Sequence, residues 1–303
     1  MKALRIESFG HTPHCNDLQL SAPAPHEVKV RVVAGSINPL DLKITAGYMQ
    51  SVMPIELPYT LGTDFSGVVE KTGSAVTSIQ VGDRVFGRLD PTAGGALAEY
   101  ALVPAQDIAA MPSDMSFEQA AALPTAAGTA YHSLFELGHL KAGQRVLIHA
   151  GAGGVGSFAI QFAKQAGAYV ATTGSENNLR LLKELGADEV INYRQEDFAA
   201  KLHNLDLVID TIGGETLERS WQVVKPGGTV VSLVEFAIQP TSGIHGVFCF
   251  FNNEVFNTKA ICNAFSEQDL QVVLDKIYPF ADANTALEQL AGGHTRGKII
   301  IRI

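Results

Sequence analysis

No stretch of this 303-residue chain approaches the run of about 18 apolar residues that a membrane-spanning helix needs. The opening residues, MKALRIESFG, lack the apolar centre of a secretory signal. These absences predict a cytoplasmic protein with no membrane partner. Positive charge is scarce as well, since 22 Lys and Arg against 31 Asp and Glu leave a formal net charge of −9. Nucleic acid and anionic lipid both reward a basic surface, so neither is expected as a partner, and the negative excess reads as solubility. Cysteine is rare. Cys15, Cys249 and Cys262 are too scattered for a disulfide framework or a CxxC metal site and read as reduced, mostly buried thiols.

What is present suits a globular protein of about two domains, with 46% hydrophobic and 17% charged residues. Up to residue 110 the texture is that of strands. KALRI, EVKVRVVAGSI, DFSGVVEKTG and AEYALVP alternate or bunch β-branched residues, and dense glycines suggest a bent, barrel-like sheet. Near residue 113 the chain turns Ala-rich and helix-favouring, with Ser113 or Ser116 as a cap. Pro124 and Gly128 are expected to divide this stretch into two helices. From Gln144 to Val231, short apolar strands (RVLIHA, YVATTG, EVINY, DLVIDTIG, GTVVSL) alternate with helical segments, among them GVGSFAIQFAKQAG, NNLRLLKELGA and GETLERSWQVVK. That alternation predicts a doubly wound parallel sheet. In the tail, SEQDLQVVLDKI and ADANTALEQLAGG read as helices. GKIIIRI reads as a final strand that returns to the N-terminal domain.

Gly151, Gly153 and Gly156 spell G-x-G-x-x-G directly after the strand RVLIHA, and Gly154 and Val155 open the helix that follows. Glycines at these places permit a tight turn and close approach of backbone to a pyrophosphate. The helix N-terminus offers that group free N–H donors. The cofactor variant rests on the end of the next strand, Thr172, Thr173, Gly174, Ser175. An NAD site places Asp or Glu at such a strand end, about 20 residues past the glycines, for the ribose 2′-hydroxyl. Here hydroxyls and amides stand instead, with Asn178, Arg180 and Tyr193 to complete a pocket for a 2′-phosphate. NADPH is therefore expected. Glu176 is the residue that argues the other way.

Longer motifs carry a family resemblance: SINPLDLKITAGY, LGTDFSGVVEKTGSAVTSIQVGDRVFG, AALPTAAGTAYHSL, HAGAGGVGSFAIQFAKQAGA, LKELGADEVINYRQEDF and PFADANTALEQLAGGHTRGKIII. In this order they span nearly the whole chain. The sequence resembles the zinc-free quinone oxidoreductase branch of the medium-chain dehydrogenase/reductase superfamily. The resemblance implies an α/β protein in which a GroES-like β-barrel catalytic domain (residues 1–119) precedes an NADPH-binding Rossmann domain (120–264). Residues 265–303 would return to the catalytic domain.

The resemblance also bears on metal. Zinc-dependent relatives place Cys at the position of Asn38 and a His-Glu pair at Thr63-Asp64, and they carry a four-cysteine lobe after the GDRV turn that this chain lacks. Catalytic zinc needs about three Cys, His or carboxylate ligands, so no metal is expected. Polarisation of a carbonyl then falls to hydrogen-bond donors. Asn38 is assigned to orienting cofactor or substrate, and Lys43 to stabilising developing negative charge, against the alternative of a solvated lysine. Asp41 caps or braces this turn, and Tyr48 and Tyr59 are candidates to line the cleft.

Family position brings Thr125 and Thr129 to the nicotinamide side and Asp210, Thr211 and Ile212 under the adenosine ribose. Leu233 falls at the end of the fifth strand, and Phe248, Cys249, Phe250 and Phe251 in an apolar strand over the carboxamide. Lys298 falls near the phosphates. Residues 235–258 are expected to shape the substrate pocket, and paired edge strands to form a homodimer. The implied activity is hydride delivery from NADPH to a small-molecule quinone or α,β-unsaturated carbonyl. Two alternatives stand beside it: an enone or alkenal double-bond reductase with little quinone activity, and a non-catalytic NADPH-binding sensor.

Overall fold

The computed structural model describes residues 1–251 and 258–303. In chain order its strands are β1 (Lys2–Ile6), β2 (His14–Asp17), β3 (Glu27–Ser36), β4 (Tyr59–Thr60), β5 (Asp64–Thr72), β6 (Arg84–Arg88), β7 (Tyr100–Pro104), β8 (Ile108–Ala110), β9 (Arg145–Ile148), β10 (Tyr169–Gly174), β11 (Glu189–Asn192), β12 (Leu205–Asp210), β13 (Val224–Ser232), β14 (His245–Phe248), β15 (Leu274–Pro279) and β16 (Lys298–Arg302). The chain forms two compact units, Met1–Thr125 with Leu274–Ile303, and Ala126–Val273. The divisions expected after residues 119 and 264 fall at Thr125 and Val273.

In the first unit a seven-stranded sheet runs β15-β16-β3-β5-β6-β8, with β7 also on β3, beside a three-stranded sheet β2-β1-β4. Period-two patterning drives β3. Val28, Val30 and Val32 are buried with Phe65, Val85 and Val103, while Lys29 and Arg31 point the other way. A second core gathers Ile6, Ile37, Ile44, Leu61, Leu97, Leu287 and Ile299. The last strand does return to this unit, as β16 runs antiparallel to β3 with Ile300 opposite Ser36.

The second unit is a doubly wound sheet, β11-β10-β9-β12-β13-β14, with each neighbouring pair parallel. The helices Gly154–Gln165, Leu179–Glu184, Phe198–Lys201 and Gly214–Ser220 carry the successive crossovers. Strand order reverses between β9 and β12, so the turn after β9 opens at the topological switch point, where such sheets bind ligands.

Four local expectations are corrected, and one alternative is settled. The helix expected over SEQDLQVVLDKI divides: a helix at Thr258–Gln268 is followed by Asp269 at φ 52°, and Leu274–Pro279 is a strand parallel to β16. The left-handed residue stops the helix, and a neighbouring strand outweighs helix propensity. The segment GETLERSWQVVK is helical only over Gly214–Ser220, because Val224 already pairs with Leu205. Gly128 does not interrupt a helix; it lies inside Pro124–Tyr131. A Cβ on Gly128 would stand 2.3 Å from Phe251 Cζ, so glycine serves packing there. Of the expected apolar strand 248–251 only Phe248 is in a strand, and Cys249 is buried with its Sγ accepting from Ser133 Oγ at 3.2 Å. Ser116, not Ser113, is the helix cap: it accepts from Gln119 N–H at 3.1 Å and donates its own N–H to Gln119 Oε1 at 3.0 Å.

Candidate active site

The first unit buries a polar cluster beneath the helix Pro39–Thr45. Asn38 precedes that helix and is 4% exposed. Its Nδ2 donates to Asp64 Oδ2 at 2.9 Å, and its Oδ1 accepts from Lys298 Nζ at 2.5 Å. Lys298 also donates to the Ile37 carbonyl at 3.0 Å. Asp41 braces the turn, accepting from Asn38 N–H at 2.7 Å and Gly62 N–H at 3.2 Å. Asp64 Oδ1 accepts from Thr125 Oγ1 at 2.6 Å, and Thr125 Oγ1 accepts from Arg88 Nε at 3.0 Å. Two carboxylates and two cations are thus interleaved by neutral donors, which is how buried charge becomes tolerable.

Burial pushes the Asp41 carboxyl up to about 6, aided by Asp64 and opposed by the Asn38 and Gly62 amides and by Lys298. Burial lowers Lys298, against the pull of Asp64 and Asp41. Lys43 and Tyr48 are exposed, whereas Tyr59 is interior with its hydroxyl on the Pro91 carbonyl at 2.8 Å.

In the second unit the glycine turn can be tested atom by atom. A Cβ on Gly151 would stand 2.0 Å from Thr172 Oγ1, and one on Gly156 would stand 2.4 Å from the Ala150 carbonyl. The fold itself requires those two glycines. Gly153 differs. It caps the helix Gly154–Gln165 at φ −76°, and the nearest atom to a Cβ there is the Ala150 carbonyl oxygen at 3.3 Å. Backbone strain does not demand glycine at 153, and a methyl there would need the Ala150 carbonyl to give by only a few tenths of an ångström. A pyrophosphate seated on the helix N-terminus would demand it, so the residues fit a dinucleotide.

The same edge of the sheet gathers the strand ends named from sequence. Thr173 Oγ1 accepts from Ala150 N–H at 3.1 Å and lies 3.2 Å from His149 Nδ1. His149 Nε2 lies 3.0 Å from Ser220 Oγ, whose proton goes to the Thr216 carbonyl at 2.7 Å. Nε2 must therefore be the donor and Nδ1 the acceptor. Burial drives His149 down to about 4 despite Asp210, so the imidazole is neutral. Asp210 is consumed by structure: Oδ1 takes the N–H groups of Ile212 and Gly213 at 3.0 and 2.9 Å, and Oδ2 takes Ser232 Oγ at 2.7 Å. Thr211 Oγ1 donates to the His149 carbonyl at 3.0 Å, and Leu233 N–H donates to the Asp210 carbonyl at 2.9 Å. Ile212 is exposed.

Past β10, Asn178 Nδ2 donates to Ser175 Oγ at 3.2 Å, and Tyr193 N–H reaches the Gly174 carbonyl at 3.2 Å. Arg180 makes an exposed pair with Glu184 at 2.7 Å. The sequence reading passed over Arg194, whose guanidinium lies 5.8 Å from the Tyr193 ring, and Asn192, which holds Glu176. No local pattern announces that second contact, because the partners are 16 residues apart and meet only through strand pairing. Thr129 is buried, Phe250 is 61% exposed, and Phe251 packs on Gly128. Of the expected pocket segment 235–258, residues 252–257 lie outside the described residues.

Comparison with known proteins decides the family. Residues 24–113 match the alcohol dehydrogenase GroES-like domain, and residues 185–301 match a domain described as zinc-binding dehydrogenase. A chloroplastic quinone-oxidoreductase homolog of Spinacia oleracea is 32% identical, the match covering 99% of this chain and 98% of that protein. The chain belongs to the medium-chain dehydrogenase/reductase superfamily. Within this oxidoreductase superfamily, a 2-methylene-furan-3-one reductase of Solanum lycopersicum is 36% identical over 91% of this chain and 71% of its own length. The crystal structure of Escherichia coli quinone oxidoreductase complexed with NADPH superposes with a TM-score of 0.90 at 28% identity, covering 100% of both chains.

The name of the second matched domain raises zinc, and the residues do not fit it. Asn38 supplies an amide, and both Asp64 oxygens already accept, from Asn38 and from Thr125. Among the described residues no three His, Cys, Asp or Glu side chains gather as a metal site would require. Among those residues, too, no helix is long and apolar enough to cross a membrane.

Proposed function

We propose that this chain is an NADPH-dependent, zinc-independent reductase of quinones or α,β-unsaturated carbonyls. The observation that carries the reading is Gly153, at the N-terminus of the helix after β9, which packing constrains far less than Gly151 or Gly156. Gly151, Gly153, Gly154 and Val155 would hold the pyrophosphate. Ser175, Asn178 and Tyr193 would receive the 2′-phosphate, with Thr173, Asp210, Thr211, Ile212 and Leu233 along the same sheet edge. When bound, the nicotinamide supplies hydride.

In the first unit Asn38 keeps one amide hydrogen uncommitted, since among the described residues only Asp64 accepts from Nδ2. That hydrogen is what Asn38 offers a cofactor or carbonyl. The exposed ammonium of Lys43 is available to an enolate or hydroquinone anion. Lys298 acts in this reading by fixing Asn38, and Thr125 by fixing Asp64. In the second unit Thr129, Phe250 and Phe251 would face the nicotinamide, and the edge of β14 would pair with a second copy. The names of the relatives, a quinone oxidoreductase and a furanone reductase, support a conjugated acceptor.

The test is a panel of quinones and enones assayed for NADPH and NADH oxidation. Turnover of conjugated acceptors with NADPH ahead of NADH is expected. Tight NADPH binding with no turnover of any acceptor would favour a non-catalytic sensor, and a preference for NADH would overturn the cofactor assignment.

A further inference from the structure

The carboxylate that argues for NADH in the sequence, Glu176, is exposed but has one oxygen engaged. Its Oε2 accepts a 2.6 Å hydrogen bond from Asn192 Nδ2. Asn192 ends β11 opposite Gly174, the last residue of β10, and is only 3% exposed. Its remaining polar atoms are used too: the backbone N–H donates to Glu196 Oε2 at 2.9 Å, and Oδ1 accepts from Arg194 N–H at 3.2 Å. Glu196 is in turn paired with Lys201. The Asn192 amide is thus held on both sides, and turning it to release Glu176 would leave a buried polar group unpaired.

The same hub positions a cation. Arg194 begins its turn on the Asn192 side chain, and its guanidinium lies 5.8 Å from the ring of Tyr193. Tyr193 is tied by its N–H to the Gly174 carbonyl and is 53% exposed. Arg180, the arginine nearer in sequence to the β10 end, is exposed and pairs with Glu184 at 2.7 Å on its own helix.

We propose that Asn192 is a positioning residue for cofactor selectivity. It ties one oxygen of the Glu176 carboxylate to a buried amide, which weakens Glu176 as the ribose-diol acceptor of an NADH site, and it sets Arg194 beside Tyr193 to favour a 2′-phosphate. A carboxylate reads a ribose through free acceptor positions aimed at the sugar. Glu176 has given one oxygen to a buried amide. A 2′-phosphate brings about two negative charges and rewards a nearby guanidinium, whereas a 2′-hydroxyl does not. This inference rests on the NADPH assignment above.

The experiment measures Kd for NADPH and for NADH by titration calorimetry on wild type, Asn192→Ala, Glu176→Gln and the double variant, with melting temperatures to confirm folding. Wild type should bind NADPH more tightly. Asn192→Ala should lower the NADPH-over-NADH ratio by about fivefold or more, equivalent to about 1 kcal/mol. Glu176→Gln alone should move the ratio less than about twofold, because a glutamine carbonyl accepts the same bond, and in the double variant it should restore much of the lost ratio. Wild type favouring NADH would overturn the NADPH assignment and this inference with it. Wild type favouring NADPH, with the ratio unmoved in Asn192→Ala or unrestored in the double variant, would overturn the inference alone. Should Asn192→Ala not fold, Glu176→Gln decides: a loss of NADH affinity beyond about threefold would mean that Glu176 already reads the ribose.

Discussion

Lys298 donates to Asn38 Oδ1 at 2.5 Å and to the adjacent Ile37 carbonyl at 3.0 Å, so the first residue of the final strand fixes a side chain 260 positions earlier. It is also one of the two cations in a buried cluster that holds the carboxylates of Asp41 and Asp64. Lys298→Met would leave two acceptors unpaired and the cluster one positive charge short. Breaking one partner out of a buried charge arrangement costs about 3–5 kcal/mol. Urea denaturation of the variant should show a loss of that size. A loss under about 1 kcal/mol, the range of a solvated pair, would mean that Lys298 is not integral to the cluster.

Asp41 makes a pH-dependent contribution whose sign is unusual for a carboxylate. Its folded value is raised from 3.8 to about 6, chiefly by burial. Protonated Asp41 therefore favours the folded state. That contribution is complete below the ordinary value and is lost as pH rises through about 6. A shift of this size corresponds to about 3 kcal/mol. The stability of wild type relative to Asp41→Asn should fall by about that amount between about pH 3.5 and about pH 6.5, measured by denaturant titration at each pH. A difference that stays flat, or that grows with pH, would contradict the assignment.

Gly151 and Gly153 should respond in opposite ways to the same substitution. Gly151→Ala places a methyl 2.0 Å from Thr172 Oγ1, with Ile160 and Leu182 side chains at 2.8 Å. Overpacking of that kind costs about 1–3 kcal/mol or more of stability. Gly153→Ala meets the Ala150 carbonyl oxygen at 3.3 Å, a contact that a shift of a few tenths of an ångström relieves, and should cost no more than about 1 kcal/mol of stability. It should nevertheless weaken NADPH binding by over about tenfold, or about 1.4 kcal/mol. Melting curves and cofactor titrations on both variants check the pair. Unchanged NADPH affinity in Gly153→Ala would place the phosphates elsewhere.

Metal analysis gives an independent check. With Asn38 and Asp64 committed to each other and to Lys298 and Thr125, the purified protein should carry far less than one zinc per chain. Chelator should leave quinone or enone reduction intact. About one zinc per chain by elemental analysis, lost together with activity on chelation, would refute the hydrogen-bond reading of this cluster.

The features legible in the sequence are those that depend on neighbours along the chain. KALRI is a strand from its first residue to its last, Ser116 and Gln119 cap one another across three positions, and the glycine turn sits between a strand and a helix as its spacing required. Readings failed where a distant partner outweighed a local preference. Leu274–Pro279 joins β16 and is extended despite its helical texture. Gly128 lies within a helix because the Phe251 ring occupies the space of its missing side chain.

By itself the sequence determined the alternation that makes the parallel sheet and the place of the glycine turn, and it put an amide at Asn38 and a Thr-Asp pair at Thr63-Asp64, since each depends on residue type and spacing. Tertiary structure alone decided which groups at those places are available. Gly151 and Gly153 are both glycines of one motif, but only neighbours from β10 and the following helices make the first a strict packing requirement, while the second meets only the Ala150 carbonyl. Asn38 and Glu176 are ordinary polar residues until β16 brings Lys298 to the first and β11 brings Asn192 to the second. Strand pairing joins residues remote along the chain, and burial makes each resulting hydrogen bond costly to break, so the chemistry of both sites follows from contacts that no local pattern encodes.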